Sequence, residues 1–201
     1  MAAGSIRYDD VMGSTFRIFL YIAVSIGALL ACLFAYEFLY AHPIWGLRAF
    51  NVRSGSMCPT VCQGERVFAD MNFGVSYTPV RNDVVVLLYG QDQVLFVKRV
   101  IGLPGDTISP GPGKTILVNG RPWQPPAVCG KSLLPPENIP ASVFPSTKVQ
   151  DDQLFVIGDN VTHSLDSRFT QFEPVHLGQI VGKAALIYWS PESSRIGCAI
   201  H

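Results

Sequence analysis

The chain has 201 residues, enough for one domain of ordinary size and an additional element. Its 15 Lys and Arg residues balance 15 Asp and Glu residues, so the formal charge is zero, and only 15% of the residues are charged. A neutral, sparsely charged chain lacks the basic surface of nucleic-acid-binding proteins, and we therefore expect no nucleic-acid partner.

Apolar residues are concentrated near the N-terminus, where residues 18–36 contain no charged side chain. A helix of about 20 apolar residues is long enough to cross the hydrocarbon core of a bilayer. The stretch therefore predicts a transmembrane anchor over residues 17–41, after a short polar tail over residues 1–16. A buried core helix is rarely so long and uniformly apolar. A cleaved signal peptide has a shorter apolar region and a small-x-small site, which residues 39–41 match poorly.

The chain from residue 42 onward carries the signals of β-strands. Short runs rich in β-branched and aromatic residues predict strands over 66–69, 83–89, 94–97, 154–157 and 179–182. Residues 90–93 are typical of a hairpin loop between two of these strands. Asn119-Gly120 is typical of a two-residue hairpin turn that joins residues 116–118 to residues 121–123. We therefore expect residues 42–201 to form one mainly β domain.

Residues 109–150 differ from the rest of this domain, because they contain 9 of the chain's 15 prolines. Each proline removes a backbone donor from a sheet ladder, so such a segment cannot supply central strands. We predict an irregular insertion or a pair of edge strands.

Residues 53–60 read Arg-Ser-Gly-Ser-Met-Cys-Pro-Thr. Small residues around a serine, closed by a proline, are typical of an exposed loop with an accessible hydroxyl. Taken alone, such a segment is usually only a turn.

Residues 96–106 place Lys98 at the end of an apolar strand. Alternation along a strand directs Lys98 and Arg99 to opposite faces, so we expect one to face the interior or a cleft and the other to face water. Apolar neighbours and the lack of an adjacent carboxylate favour the neutral amine of Lys98 through desolvation. A neutral lysine can accept a proton from serine.

Residues 157–168 read Ile-Gly-Asp-Asn-Val-Thr-His-Ser-Leu-Asp-Ser-Arg and place polar groups densely behind a predicted strand. Asp166 and Arg168 are close enough in sequence to pair, and Ser164 can donate a hydrogen bond into a site. The alternative interpretation is a surface loop whose salt bridge contributes little stability.

Together, these three segments resemble the type I signal peptidase family. That family shows a Ser-Gly-Ser-Met-x-Pro-Thr box, a Lys-Arg-x-x-Gly-x-Pro-Gly-Asp box and a Gly-Asp-Asn…Ser-x-Asp-Ser-Arg box, in this order and after a membrane anchor. The resemblance extends from about residue 53 to residue 189. It implies a mainly β fold of the signal-peptidase and LexA-like type, preceded by one N-terminal transmembrane helix.

The positions that match the family's boxes imply roles for individual residues. Ser56 would be the acylated nucleophile and Lys98 its general base. Ser54 would donate its hydroxyl to the oxyanion hole, beside the Ser56 backbone N–H, and Ser164 would orient the Lys98 amine. The remaining supporting residues would be Asp159, Asp166 and Arg168. Small apolar pockets that favour an Ala-x-Ala sequence in the substrate would be lined by Met57, Val61, Phe96 and Val97.

The resemblance further implies a serine endopeptidase that needs no cofactor or metal and removes N-terminal signal peptides from exported preproteins. Its partners would be signal peptides and the lipid bilayer, close to the protein translocation machinery. The protein would cross the inner (plasma) membrane once, with residues 1–16 in the cytoplasm and the catalytic domain outside it. The nearest arginines, two on each side of the anchor, do not determine this direction. The four cysteines after the anchor suit an oxidising compartment, where three pairings are possible, but are equally compatible with free thiols.

The chain departs from the family's pattern at two places, and other functions remain open. Val161-Thr162-His163 replaces a charged pair, and Arg53 stands where a proline is common. His163 allows a Ser-His-Asp triad on Ser56, and Cys58 and Cys62 allow a weak metal-site interpretation. Further alternatives are a dedicated pilin or conjugation peptidase and an inactive, membrane-tethered domain that only binds peptides. A self-cleaving repressor is disfavoured by the membrane span.

Overall fold

The computed structural model describes residues 8–41, 46–72, 78–127, 129 and 144–200. The chain divides into two compact units, Met1–Ile44 and Trp45–His201.

The first unit contains one long helix, α1, from Tyr8 to Ala41. Within it, Phe16–Tyr36 has a mean hydropathy of 2.5, and none of these 21 residues is buried. At 1.5 Å per residue, this stretch is about 31 Å long, the thickness of the bilayer core. The helix begins inside the segment predicted as a polar tail and contains the whole predicted anchor. By length and composition, α1 is therefore consistent with a membrane-anchored protein.

The second unit is built mainly of short strands, as predicted. The strands are β1 (Leu47–Asn51), β2 (Arg66–Asp70), β3 (Val84–Tyr89), β4 (Val94–Gly102), β5 (Thr107–Pro110), β6 (Ile116–Val118), β7 (Arg121–Pro122), β8 (Thr147–Lys148), β9 (Gln153–Ile157), β10 (Val175–His176), β11 (Ile180–Trp189) and β12 (Cys198–Ala199). Single 3₁₀ turns lie at Pro112–Lys114, Leu177–Gln179 and Ser193–Arg195.

The five strands predicted from residue pattern are all present, as β2, β3, β4, β9 and β11. Two of them continue further than predicted, β4 to Gly102 and β11 to Trp189. Strands β1, β5, β8, β10 and β12 were not predicted. Most of these are short, and their residues lack the continuous β-branched or aromatic run on which the prediction depended.

The larger sheet has the order β1-β2-β11-β3-β4-β9-β10, and β12 pairs with β11. The paired strands are antiparallel. Strand β4 is flanked on both sides, with Lys98 opposite Val85 of β3 and Arg99 opposite Ile157 of β9. This register brings the end of β9, and the polar segment that follows it, next to Lys98.

The smaller sheet has the order β7-β6-β5-β8 and is formed by the flanks of the proline-rich segment. Asn119 and Gly120 have positive φ values of 51° and 76° and join β6 to β7, which confirms the predicted two-residue turn. Pro110 and Pro122 stand at strand ends, where a missing backbone donor costs little. Over its described residues the segment supplies strands, of which β7 and β8 lie at the edges of this sheet. Residue 128 and residues 130–143 lie outside the described residues.

Two disulfides close loops in this unit, one between Cys58 and Cys62 and one between Cys129 and Cys198. The sequence left the pairing open. Because Cys58 and Cys62 form a disulfide, they offer no thiolate to a metal ion, and the metal-site interpretation of these two residues is wrong. Among the described residues, no group of three or more His, Cys, Asp or Glu side chains is placed to hold a metal ion.

Candidate active site

Ser56 lies in a tightly turned segment that follows β1, residues 54–65, which we call the nucleophile turn after the candidate nucleophile Ser56. The backbone N–H of Cys58 donates to Gly55 O (3.2 Å), and that of Val61 donates to Met57 O (3.0 Å). The Met57 side chain is buried in the core, whereas Ser56 is only half-buried. The buried methionine fixes the turn and leaves the neighbouring serine hydroxyl accessible.

Lys98 reaches this turn from the centre of the larger sheet. Its side-chain nitrogen Nζ lies 3.2 Å from Ser56 Oγ and 2.9 Å from Ser164 Oγ. Lys98 is only 1% exposed. The Ser164 hydroxyl therefore helps to hold the amine at hydrogen-bond distance from the Ser56 hydroxyl. This arrangement is the one required for proton transfer from Ser56 to Lys98.

Burial of Lys98 lowers the pKa of its ammonium group from 10.5 to about 8. The Asp166 carboxylate opposes this shift, the Arg168 guanidinium adds to it, and Asp159 opposes it. Desolvation is the largest effect, as the apolar strand pattern predicted. At pH 7 about a tenth of the molecules would therefore carry a neutral, proton-accepting amine.

The neutral amine is the reactive form of a lysine base, so activity should rise with pH. We expect the profile of kcat/KM against pH to have an acid limb with its midpoint near the Lys98 pKa of about 8. The measurement is a kcat/KM series from pH 5 to 10 on a fluorogenic peptide. His163→Ala should keep the same limb. A profile that is still rising steeply at pH 10, as a lysine at its free value of ~10.4 would give, or an acid limb that disappears in His163→Ala, would contradict the assignment of Lys98 as the base.

Ser54 lies on the exposed side of the same turn, with its Oγ 3.3 Å from Ser56 Oγ. Its hydroxyl is thus within reach of the position where a carbonyl oxygen would develop negative charge after attack by Ser56. The Ser56 backbone N–H belongs to the same turn. These two groups form the candidate oxyanion hole.

Behind the lysine, Asp166 and Arg168 form a buried bidentate pair. Arg168 Nε donates to Asp166 Oδ1 (2.8 Å) and Arg168 Nη2 to Oδ2 (2.9 Å). Asp166 also accepts the backbone N–H of Gly158 (2.9 Å). The pair fixes the loop that carries Ser164, and with it one of the two hydrogen bonds of the Lys98 amine.

Arg99 is fully buried, and the expectation that either Lys98 or Arg99 would face water is wrong. Arg99 Nε and Nη2 each lie 2.8 Å from a carboxylate oxygen of Asp159. Asp159 also accepts the Thr60 hydroxyl, and Thr60 lies in the nucleophile turn. A buried charge needs a partner, and the pairing with Asp159 lets β4 keep two successive cationic residues inside the domain.

Sequence reasoning assigned no role to Asn160, yet the structure places it against the nucleophile turn. Its backbone N–H donates to Ser56 O (3.0 Å), and its side-chain Nδ2 donates to Gly55 O (3.0 Å). The signal that could have identified Asn160 was its place in the Gly-Asp-Asn box.

The four predicted pocket residues are divided between two sides of β4. Met57 and Val61 are buried in one core cluster, against which Val97 packs. Phe96 packs against a different cluster, and its ring centre lies 5.6 Å from Lys98 Nζ. The structure therefore places Phe96 beside Lys98, and Val97 against the core cluster that contains the turn residues Met57 and Val61.

His163 is exposed, and its ring Nδ1 contacts Thr162 Oγ1 (2.8 Å) and Asn160 Oδ1 (3.3 Å) in its own loop. The hydroxyl of Ser56 is instead within hydrogen-bond distance of Lys98. The geometry thus favours a serine–lysine pair over a serine–histidine triad.

Comparison with known proteins places the chain among relatives of one kind. The family profile described as "Signal peptidase, peptidase S26" matches residues 19–189. "Signal peptidase I S" of Bacillus subtilis is 35% identical over 122 residues, which cover 59% of this chain and 65% of that protein, just under two thirds of its length. "Signal peptidase I" of Leptolyngbya laminosa is 31% identical, with 72% of each chain covered.

One further relative has the same name as the last. "Signal peptidase I" of Bacillus amyloliquefaciens is 33% identical over 149 residues, which cover 73% of this chain and 74% of that one. A crystal structure of a signal peptidase I from Enterococcus faecalis superposes with a TM-score of 0.39 at 21% identity, covering 53% of this chain and 96% of that chain. On the extent of the family match and the identity to these relatives, the chain belongs to the signal peptidase family, peptidase S26.

Proposed function

We propose that the chain is a membrane-anchored serine endopeptidase that removes N-terminal signal peptides from exported preproteins. The observation that supports this most strongly is the buried Lys98 amine, 3.2 Å from the Ser56 hydroxyl. Membership of the signal peptidase family supports the substrate class.

In the proposed mechanism, Ser56 Oγ attacks the carbonyl carbon of the scissile bond while the neutral Lys98 amine takes the hydroxyl proton. The resulting oxyanion accepts hydrogen bonds from the Ser54 hydroxyl and the Ser56 backbone N–H. Lys98, now an ammonium, donates its proton to the departing amine, and an acyl-enzyme remains on Ser56. Lys98 then takes a proton from water, which attacks the ester carbonyl. As the ester bond to Ser56 breaks, Lys98 returns this proton to Ser56 Oγ, and the signal peptide leaves with a free carboxylate.

Ser164 would keep the lysine in place during these steps. Its hydroxyl lies 2.9 Å from Nζ, and a hydroxyl can either accept a hydrogen bond from the lysine or donate one to it. The buried pairs Asp166–Arg168 and Asp159–Arg99 would hold the surrounding loops. Pockets near the nucleophile would accept alanine-sized side chains and reject larger ones by steric exclusion. We assign these pockets to Met57, Val61, Phe96 and Val97, with Phe96 contributing from the side of the base.

The direct test is incubation of the detergent-solubilised protein with a purified preprotein, followed by mass spectrometry of the products. We expect one cut after an Ala-x-Ala sequence, and none with the Ser56→Ala variant or with a preprotein whose final alanine is replaced by a bulky residue. Cleavage of a single pilin-type preprotein among many would indicate a dedicated peptidase. Lack of cleavage of any preprotein, despite a correctly folded domain, would leave only the peptide-binding alternative.

We further propose that α1 lies in the inner (plasma) membrane, with residues 1–16 in the cytoplasm and residues 42–201 outside it, near the translocation machinery. Cleavage sites of translocating chains emerge on that side, and the two disulfides suit an oxidising compartment. Protease added to intact spheroplasts should digest the region after Arg48 and spare an N-terminal epitope tag. Digestion that occurs only after lysis would place the domain in the cytoplasm and remove signal peptides as its substrates.

A further inference from the structure

The segment near the C-terminus reaches back to the nucleophile turn through one ion pair. Arg195, at the end of the 3₁₀ turn Ser193–Arg195, contacts Glu65 through Nε–Oε1 (2.6 Å) and Nη2–Oε2 (3.1 Å). Glu65 is only 1% exposed. Neither residue belongs to the boxes that carry the catalytic groups.

Both partners also hold the backbone that follows Ser56. Arg195 Nη2 donates to Pro59 O (2.9 Å) and to Thr60 O (3.0 Å). The Glu65 carboxylate accepts the backbone N–H of Cys62 (2.7 Å). One guanidinium and one carboxylate therefore bind main-chain groups at three successive points of the turn.

The charges of the pair are mutually stabilised. Burial by itself would raise the pKa of Glu65, but hydrogen bonds from Arg195, from the Cys62 backbone and from Ser190 outweigh it, so the pKa of Glu65 lies below its ordinary value. The hydrogen bond with Glu65 correspondingly raises the pKa of Arg195. The pair stays ionised across the working range, and loss of Arg195 would leave a buried carboxylate without its cation.

Other contacts fix the turn as well. The Thr60 hydroxyl hydrogen-bonds with Asp159, and the Cys58–Cys62 disulfide closes the turn covalently. The Thr60 side chain and the Thr60 carbonyl are thus held by different partners. Asn160 holds the carbonyls of Gly55 and Ser56, and Arg195 holds the carbonyls of Pro59 and Thr60 further along the turn.

We propose that Arg195 and Glu65 are positioning residues for the nucleophile. They hold residues 57–65 in the conformation that keeps Ser56 Oγ within reach of the Lys98 amine, and they do so without touching substrate. A small displacement of a reacting atom is enough to slow an enzyme considerably. The inference rests on the proposed serine peptidase function, because it concerns the reactivity of Ser56.

The test compares Arg195→Ala and Arg195→Lys with Lys183→Ala as the matched control. Lys183 of β11 forms a partly buried pair with Asp83 (2.6 Å), and neither residue belongs to the nucleophile turn. Each protein is assayed well below its Tm for kcat and KM on a peptide and for the rate of Ser56 labelling by a serine-directed covalent probe. The labelling rate is also measured as a function of pH.

For Arg195→Ala we expect kcat and the labelling rate to fall about tenfold, with KM nearly unchanged. In the profile of labelling rate against pH, the plateau rate should fall. The midpoint of the acid limb should not move, because the pKa of Lys98 determines it. Arg195→Lys should recover part of the rate, since an ammonium can replace some of the hydrogen bonds but not the bidentate pair. Lys183→Ala should lower Tm while kcat and the labelling rate stay at the wild-type values.

Equal losses of Tm in Arg195→Ala and Lys183→Ala, with normal labelling per folded molecule in both, would show that the pair serves stability alone and would overturn the proposal. If Arg195→Ala does not fold, the same comparison is made with Arg195→Lys, where a wild-type labelling rate overturns it. The labelling assay needs no preprotein. A wild-type protein that is labelled but cleaves no preprotein would therefore contradict the proposed substrate while leaving the positioning inference open to the same measurement.

Discussion

Replacing Lys98 with alanine is expected to lower kcat/KM for preprotein cleavage by about 10⁴- to 10⁶-fold. The reason is that no other base lies at the Ser56 hydroxyl among its described contacts, where Lys98 Nζ is 3.2 Å away. Ser56→Ala should cause a loss of similar size, and the double variant should lose little more, because the two groups act as one unit. The measurement is single-turnover cleavage of a fluorogenic signal-peptide substrate.

Lys98→Arg is the sharper companion variant, since guanidinium keeps a positive charge but cannot give up its proton in this pH range. We expect it to be as inactive as Lys98→Ala, whereas His163→Ala should retain activity. Thermal unfolding of each variant separates loss of chemistry from loss of fold. Substantial cleavage by folded Lys98→Ala, or strong loss in His163→Ala alone, would exclude the serine–lysine pair.

Gly158→Ala is expected to lower kcat by about 10²-fold although glycine and alanine differ by a single methyl group. A Cβ at position 158 would collide with the Ser56 carbonyl oxygen and the Ser164 hydroxyl, and would lie 2.6 Å from Ser164 Cβ. The first contact is with backbone, which cannot rotate away. The added methyl group should therefore displace both Ser56 and Ser164.

Gly178→Ala is the matched control, because a Cβ at that position meets no atom within 4 Å. It should leave kcat unchanged. The two variants are compared by steady-state kinetics and by the rate of covalent labelling of Ser56. Equal activity of both variants would mean that the contact between residue 158 and the nucleophile turn can relax without cost to the reaction.

The strands that surround the site were predictable because their signals are local. Residues 94–97 form an apolar run, and the run alone indicated that Lys98 would meet a desolvated environment. The fate of Arg99 could not be read in the same way, because its partner Asp159 lies 60 residues away and only the fold brings the two together. The residues next to an arginine in sequence do not show whether its side chain will be buried or solvated.

The contacts that fix the nucleophile turn from the C-terminal side were not predictable for a related reason. Glu65 and Arg195 are 130 residues apart, and neither stands in a patterned segment. Cysteine content limited the disulfides to three pairings without selecting one. The Asp166–Arg168 pair was predictable because both residues lie within one short loop.

The Cys129–Cys198 disulfide spans 69 residues and so encloses much of the domain in a covalent ring. One cut of the chain anywhere between these cysteines would open the ring without releasing a fragment. Such a nicked protein would migrate as a single species on a gel run without reducing agent and would separate into two pieces only after reduction. Protease-accessibility experiments on intact cells should therefore be read from reduced samples, since unreduced ones would conceal a domain that had already been cut.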